Sequence, residues 1–384
     1  RFQYRLIWWP YQDWYMEMTP AKLWEQLKDP AARRKLWDVI FYRRYDRPLT
    51  DWYYVNKFAL YIRRDVAQQM WDSPQALRAG GNLPIDEYLA KWTQRTALMA
   101  WGGAGSEVGQ FNAPKGLAVD AQGNIYVADS QNHRIQVLDS QGHFVREWGS
   151  QGDQPGQFNE PWGVAVGPNG DVYVADTWNN RIQVVDAQGR LLGSWGRPGQ
   201  VANPAAAGEV LYGPRDVVVD QEGYIYVTDT GNKRVIKYDA QGHMVKAVGG
   251  MGSGDGQMQE PVGLALSPDG ELYVADTWNQ RIQVFDLDLN YLRQWPLDGW
   301  EGQSIDAKPY LAVDGAGHVY ATDPEQYRIL EFDKQGKLLA IWGQYGTDLS
   351  SVNLPTGIAV DAAGRVIVSD SANQRLLVFG AASP

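Results

Sequence analysis

The stretch Phe111-Asn-Ala-Pro-Lys-Gly-Leu-Ala-Val-Asp-Ala-Gln-Gly-Asn-Ile-Tyr-Val-Ala-Asp-Ser-Gln-Asn-His-Arg-Ile-Gln-Val-Leu-Asp-Ser-Gln-Gly-His-Phe-Val-Arg-Glu-Trp-Gly149 decides the fold. Short apolar bursts alternate in it with turn signals. Leu117–Val119 is closed by Asp120–Gly123, Ile125–Val127 by Asp129–Asn132, Ile135–Leu138 by Asp139–Gly142, and Phe144–Trp148 by Gly149. That spells four short antiparallel strands with no room for a helix. The stretch returns five more times. The Asp of its second turn recurs at Asp129, Asp176, Asp229, Asp276, Asp323 and Asp370, spaced 47, 53, 47, 47 and 47 residues apart. A four-stranded unit repeated at this period predicts a β-propeller of six blades.

The lines Pro161-Trp-Gly-Val-Ala-Val and Asp171-Val-Tyr-Val-Ala-Asp-Thr-Trp-Asn-Asn-Arg-Ile-Gln-Val-Val-Asp186 resemble the NHL repeat. The resemblance covers about residues 96–379 and implies a closed six-bladed propeller. Blade five departs most, since Asp323-Pro-Glu-Gln-Tyr-Arg328 lacks the usual Asn. The blades are placed at about 108–149, 155–196, 208–249, 257–296, 306–343 and 352–380, with an insertion around Val201–Val210 accounting for the long spacing. The last blade ends before a fourth strand. Thr96–Gly102 has the form of one, so residues 96–102 are expected to close the ring and remove its exposed edges.

Residues 1–95 form a separate, mostly helical domain in this reading. Eight Trp and nine Tyr crowd into it. Thr19-Pro20 is a helix start leading into Ala21–Lys28, and further helices are expected over Arg33–Phe41, Trp52–Trp71 and Pro84–Thr93. Packing of short helices accounts for these aromatics; placement of Phe2–Tyr15 near a membrane interface is the sharper alternative. Trp8-Trp9-Pro-Tyr-Gln-Asp-Trp-Tyr and Phe58-Ala-Leu-Tyr-Ile-Arg-Arg-Asp-Val66 are similar to the extracytoplasmic tail of flippase-activity-associated, membrane glycosyltransferase-like proteins. That resemblance implies an extracytoplasmic module whose membrane-embedded catalytic part lies upstream, an expectation in keeping with a chain that opens on Arg1.

The net charge is −10, divided as +5 over residues 1–100 and −15 over the remainder. An acidic propeller is a poor match for a phosphate backbone, so nucleic acid is not an expected partner. With no Cys in the chain, disulfides and thiolate metal sites are excluded. No apolar run reaches the roughly 18 residues that span a bilayer, and no signal peptide is visible. The glycine-rich stretches Gly102–Gln110 and Gly249–Gly256 lead into strands, not into a helix N-terminus, and read as loops between blades and not as phosphate cradles.

Catalytic and metal chemistry find little support. The pair Asp129/Arg134 recurs as Asp176/Arg181, Asp229/Arg234, Asp276/Arg281, Asp323/Arg328 and Asp370/Arg375. A feature present in every blade serves the blade, with Asp satisfying loop amides and Arg pairing with it. The four His, at positions 133, 143, 243 and 318, sit on separated turns, which disfavours a His-ligated zinc site such as that of the amidating lyase. No catalytic residue, metal ligand or cofactor is assigned. A lactonase-like set of scattered carboxylates and amides around a central ion stays open as an alternative.

The loops that lead into each first strand and join the second strand to the third lie on one side of an antiparallel blade. After each leading proline stand Lys115, Trp162, Arg215, Val262, Tyr310 and Thr356; in the middle loops stand Gln131, Trp178, Gly231, Trp278, Glu325 and Ala372. These vary while the framework repeats. Trp162, Trp178, Trp278 and Tyr310, with Lys115 and Arg215, are therefore expected to make an aromatic mouth with two cations. Such a mouth suits a sugar or a peptide, unless Trp178 and Trp278 only cover the seams between blades. The resulting expectation is a non-catalytic binding module for a glycan, a lipid-linked sugar or a protein partner, with a pure protein scaffold as the alternative.

Overall fold

The computed structural model describes residues 5–7, 15–17, 88, 90–297, 299–300 and 304–381. It comprises two compact units, residues 1–77 with 82–87 and residues 78–81 with 88–384. In the first, Arg5–Ile7 pairs antiparallel with Tyr15–Glu17. The helices expected between Ala21 and Trp71, and the rest of the aromatic run at Trp8–Tyr15, lie outside the described residues.

The second unit is mainly β, a six-bladed propeller. Its first blade joins Pro114–Val119, Ile125–Asp129, Arg134–Leu138 and Phe144–Trp148 in antiparallel order. Four further blades repeat that order from Pro161, Pro214, Pro261 and Leu311. The sixth takes three strands, Pro355–Val360, Val366–Asp370 and Arg375–Phe379, from the C-terminal end of the chain. Its fourth is Met99–Gly102, with Leu376 opposite Trp101. First strands of neighbouring blades pack side by side around the ring, and the sixth meets the first.

The insertion between blades two and three forms a two-residue parallel ladder, Arg197–Pro198 with Val210–Leu211. The run expected as a helix over Pro84–Thr93 is extended at its end. Trp92 bridges in parallel to Ile341 in the outermost strand of blade five, and Arg95 pairs with Glu331 at 2.7 Å while lying 4.1 Å over the Trp342 ring. The edge of that blade is the stronger attractor there, because its unpaired backbone groups need partners.

Each blade is held by one buried network. In blade one the Asp129 carboxylate accepts the Asn112 N–H at 2.7 Å and the Arg134 Nε–H at 2.8 Å. Arg134 then donates to the carbonyls of Ser106, Glu107 and Gln110 in the preceding loop. The Asp–Arg pair recurs at 2.7–2.8 Å in all six blades. It is a loop clamp, in which a buried carboxylate and guanidinium hold each other and the backbone of the neighbouring loop.

A second recurrence joins the blades. The hydroxyl that follows the Asp donates to the carbonyl of the next blade's leading proline: Ser130 to Pro161, Thr177 to Pro214, Thr230 to Pro261 and Ser371 to Pro114. Blade five breaks this pattern on both sides. Pro324 replaces its hydroxyl, and the Thr277 hydroxyl of blade four has no partner.

Candidate functional site

In the second-to-third-strand loops, Asp and Asn turn inward and the residue between them turns outward. Asp176 and Asn179 bond each other at 2.9 Å, and Asn179 also reaches the Gly152 carbonyl at 2.8 Å. Trp178, held between them on the Thr177–Asn179 turn, is 41% exposed, and Trp278 on the equivalent turn of blade four is 40% exposed. The loop that leads into each first strand lies against the same turn. The Trp178 N–H donates to Asn159 O at 3.3 Å, the Gly231 N–H to Tyr212 O at 2.8 Å and the Thr277 N–H to Glu260 O at 3.1 Å. Both loop sets thus form one face.

The six sequence-assigned residues are brought to this face in two layers. Trp178 and Trp278 stand exposed. Trp162, Tyr310, Lys115 and Arg215 do not; all four are buried, Trp162 completely. The expectation of an exposed aromatic mouth is corrected for these four. First strands converge at the ring axis, so residues at their beginnings pack against each other across blades. Trp162 lies between two cations, with Lys115 Nζ 4.5 Å and Arg215 Cζ 3.7 Å from its ring centre. The Tyr310 hydroxyl donates to Arg215 O at 3.2 Å, and Lys115 Nζ donates to Asp306 O at 2.8 Å. Burial pushes Lys115 down to about 8.

Arg215 links the layers. Its Cζ is also 5.1 Å from the exposed Trp178 ring, so the guanidinium stacks between a buried and an exposed indole. The Trp178 Nε1–H donates to Glu160 at 3.1 Å. Blade four repeats the scheme with different chemistry: Lys308 Nζ pairs with Glu260 at 2.7 Å and lies 5.6 Å from the Trp278 ring centre.

Four participants escaped the sequence reading. Glu160, Glu260 and Lys308 each precede a leading proline, two positions before the residue that was singled out. The fourth is Tyr212 of blade three, an exposed ring. A Cβ added at Gly231 would lie 2.2 Å from its Cδ1. Glycine at the position that holds tryptophan in blades two and four is thus the signal that another ring occupies the space. Trp178, Tyr212 and Trp278 form an arc over three consecutive blades.

Asp216 marks the deeper end of the site. It occupies the place of Gly116, Gly163, Gly263 and Gly357, where strands run so close that a Cβ on Gly357 would lie 2.0 Å from Lys115 O. Its carboxylate is buried, accepts the N–H groups of Leu264 at 2.8 Å and Val217 at 2.9 Å, and is pushed up to about 8 by burial.

Among the described residues, no group of three or more His, Asp or Glu stands together as a metal site. The ring nitrogens of His143, His243 and His318 each lie 3.1 Å from the Asp of their own turn, and His133 accepts the Glu160 N–H at 3.1 Å. No described helix is long and apolar enough to cross a membrane.

The NHL repeat profile matches residues 111–138, 158–185, 211–238, 258–285 and 352–379. The propeller is built of NHL repeats. The unmatched blade is the fifth, the one with Pro324 and without the Asn.

Curated relatives match it over short segments. B-box type zinc finger protein ncl-1 of Caenorhabditis elegans is 61% identical over 36 residues, 9% of this chain and 4% of that one. Protein brain tumor of Drosophila melanogaster is 58% identical over 36 residues, again 9% and 4%. Protein lin-41 of Caenorhabditis elegans is 36% identical over 69 residues, 18% and 6%. The matched part spans only 4–6% of the length of these relatives.

Among solved structures, a gluconolactonase from Xanthomonas campestris superposes with a TM-score of 0.51 at 17% identity, covering 74% of this chain and 96% of its own. A virginiamycin B lyase from Staphylococcus aureus reaches 0.49 at 15% identity, covering 75% and 96%. The gluconolactonase likeness, at that identity, is one of fold.

Proposed function

We propose that this chain is a non-catalytic binding module that holds its ligand across the face carrying Trp178, Tyr212 and Trp278. The carrying observation is the arc itself. Three exposed rings stand on consecutive blades, Trp178 and Trp278 on clamped turns and Tyr212 on a loop whose N–H bonds the clamp carboxylate of Asp229, and the two tryptophans are backed by the cations of Arg215 and Lys308. Rings held this way cover flat apolar surface with little loss of side-chain entropy. A glycan, a lipid-linked sugar or a segment of a partner protein presents such a surface.

The setting proposed for the module is extracytoplasmic, attached to a membrane glycosyltransferase-like protein. What supports it is the likeness of Trp8–Tyr15 and Phe58–Val66 to the tails of such proteins, together with an aromatic run suited to a membrane interface.

Calorimetric titration with a panel of glycans and of short peptides tests the binding reading, using the wild type beside Trp178→Ala/Trp278→Ala. Saturable binding weakened at least about tenfold in a variant that still folds is the expected result. Binding unchanged in the variant contradicts it. Peptide binding without any glycan binding would make the module a protein scaffold.

A further inference from the structure

Among the described residues, Arg215 is the one cation of the mouth whose charge is not met by a protein acceptor. Lys115 Nζ is engaged by Asp306 O at 2.8 Å, and Lys308 Nζ by Glu260 at 2.7 Å. Arg215 is 6% exposed, yet its buried Nε and Nη1 have no hydrogen-bond partner. Nη2 also lacks an acceptor among the described residues, and it is not among the buried unpartnered atoms, so it reaches solvent. Leaving buried N–H groups of a guanidinium unpaired is costly. Stacking between Trp162 and Trp178 stabilises the faces of the group but does nothing for its edges.

Both fork edges of a guanidinium contain Nη2. A ligand arriving from solvent at Nη2 therefore pairs one open and one buried N–H in the same step, which is the bidentate geometry of a carboxylate. The charge around it limits what can bind. Glu160, Glu260 and Asp306 all act on Arg215 from nearby, so a dianion is repelled about twice as strongly as a monoanion, and a monoanion needs only one of the two unpaired forks.

We propose that the mouth of the ring holds one carboxylate against Arg215, with Trp178 stacked on the group that carries it. This rests on the mouth being the binding face and names the ligand class that face selects. The carboxylate comes either from a sugar acid or from an acidic residue of a peptide. The exposed part of the Trp178 ring offers a surface for the ligand to lie along, while the buried Trp162 holds the guanidinium in place.

The test pairs acids with neutral counterparts: glucuronate against glucose, and N-acetylglutamate amide against N-acetylglutamine amide, with inorganic phosphate as a third probe. Each is titrated into the wild-type chain and into Arg215→Gln, following heat and, in the wild type, the Nε–H resonance of Arg215. The expected result is an acid that binds at least about tenfold more tightly than its neutral partner, a preference lost in Arg215→Gln. Tighter binding of glucuronate assigns the carboxylate to a sugar acid, and tighter binding of the glutamate derivative to a peptide; either supports the proposal.

Equal binding of acid and neutral compounds overturns it, as does an acid preference that survives Arg215→Gln or tighter binding of phosphate than of either acid. If Arg215→Gln does not fold, the wild-type Nε–H resonance decides, because a carboxylate on the fork must shift it and an unmoved resonance contradicts the proposal. Neutral ligands that bind and are lost in Trp178→Ala/Trp278→Ala, without any acid preference, would leave the binding face standing and remove only the carboxylate.

Discussion

Val248 and Leu289, at the seam between blades three and four, belong to one hydrophobic cluster and stand at the two positions that pair a tryptophan with a glycine at four other seams. Elsewhere the fourth-strand Trp covers a turn glycine of the next blade: Trp101 over Gly142, Trp148 over Gly189, Trp195 over Gly242 and Trp295 over Gly336. A Cβ on any of these glycines would come within 2.3–2.9 Å of the indole. The exchange at this seam is paired, a smaller side chain facing a larger one, although Leu289 must adopt a φ of 57°. Volume is conserved across the contact.

The two exchanges are therefore coupled. Val248→Trp alone overpacks the seam and costs about 1–3 kcal/mol, while Leu289→Gly alone opens a void and costs about 2–5 kcal/mol, less what is recovered by relaxing the left-handed backbone. The double variant should recover at least about 1 kcal/mol relative to the sum. Urea unfolding of the four proteins measures it; strict additivity would show that the seam does not work as a pair.

Arg234 and Asp229 are both fully buried, whereas Arg197 and Glu209 form a pair that is 63% and 61% exposed. Removing one partner of the buried pair, as in Arg234→Met, strands a carboxylate and should cost about 3–5 kcal/mol. Arg197→Met should cost under about 1 kcal/mol. Comparable losses for both would mean that the clamp is not the blade's main polar anchor.

Closure through Met99–Gly102 makes the ring one cooperative unit. A chain starting at residue 105 leaves the edge of Arg375–Phe379 unpaired and removes Trp101 from its seam. It should melt at least about 10 °C lower or associate through the open edge. Unchanged melting of a monomer would contradict the role assigned to this strand.

Asp216 gives the stability of the propeller a pH dependence of defined sign. Its folded value, about 8, lies above its unfolded one, so the native state holds a proton that the unfolded chain has released. Stability from this group is complete below about pH 4 and is lost as pH rises toward 8. In Asp216→Asn this slope disappears. The amide cannot accept both the Leu264 and Val217 N–H groups, so the variant should be the less stable at pH 5.5 and close the gap by pH 8.5. Melting temperatures at these two values decide it; a gap that widens with pH would reverse the assignment.

The ring and its blade count were legible because each blade repeats the same turn residues at the same offsets, down to the divergence at Asp323-Pro324. Trp178 and Trp278 were legible as outward residues because the Asp and Asn on either side of the turn are committed inward. Burial of Trp162 and Arg215 was not. It arises from packing between blades about 50 residues apart along the chain, for which a single repeat holds no local signal. Tyr212 is an intermediate case, since Gly231 records the missing side chain but not which ring fills the space.

The central claim is that ligand is held by the exposed rings of one face. Labelling the 17 tryptophans with 5-fluorotryptophan gives each its own fluorine resonance, and Trp178→Phe and Trp278→Phe identify two of them. Titration with any ligand that gives saturable heat should move the Trp178 and Trp278 resonances and leave those of the seam residues Trp148 and Trp295 in place. Shifts confined to the seam tryptophans, with Trp178 and Trp278 unmoved at saturation, would contradict the account.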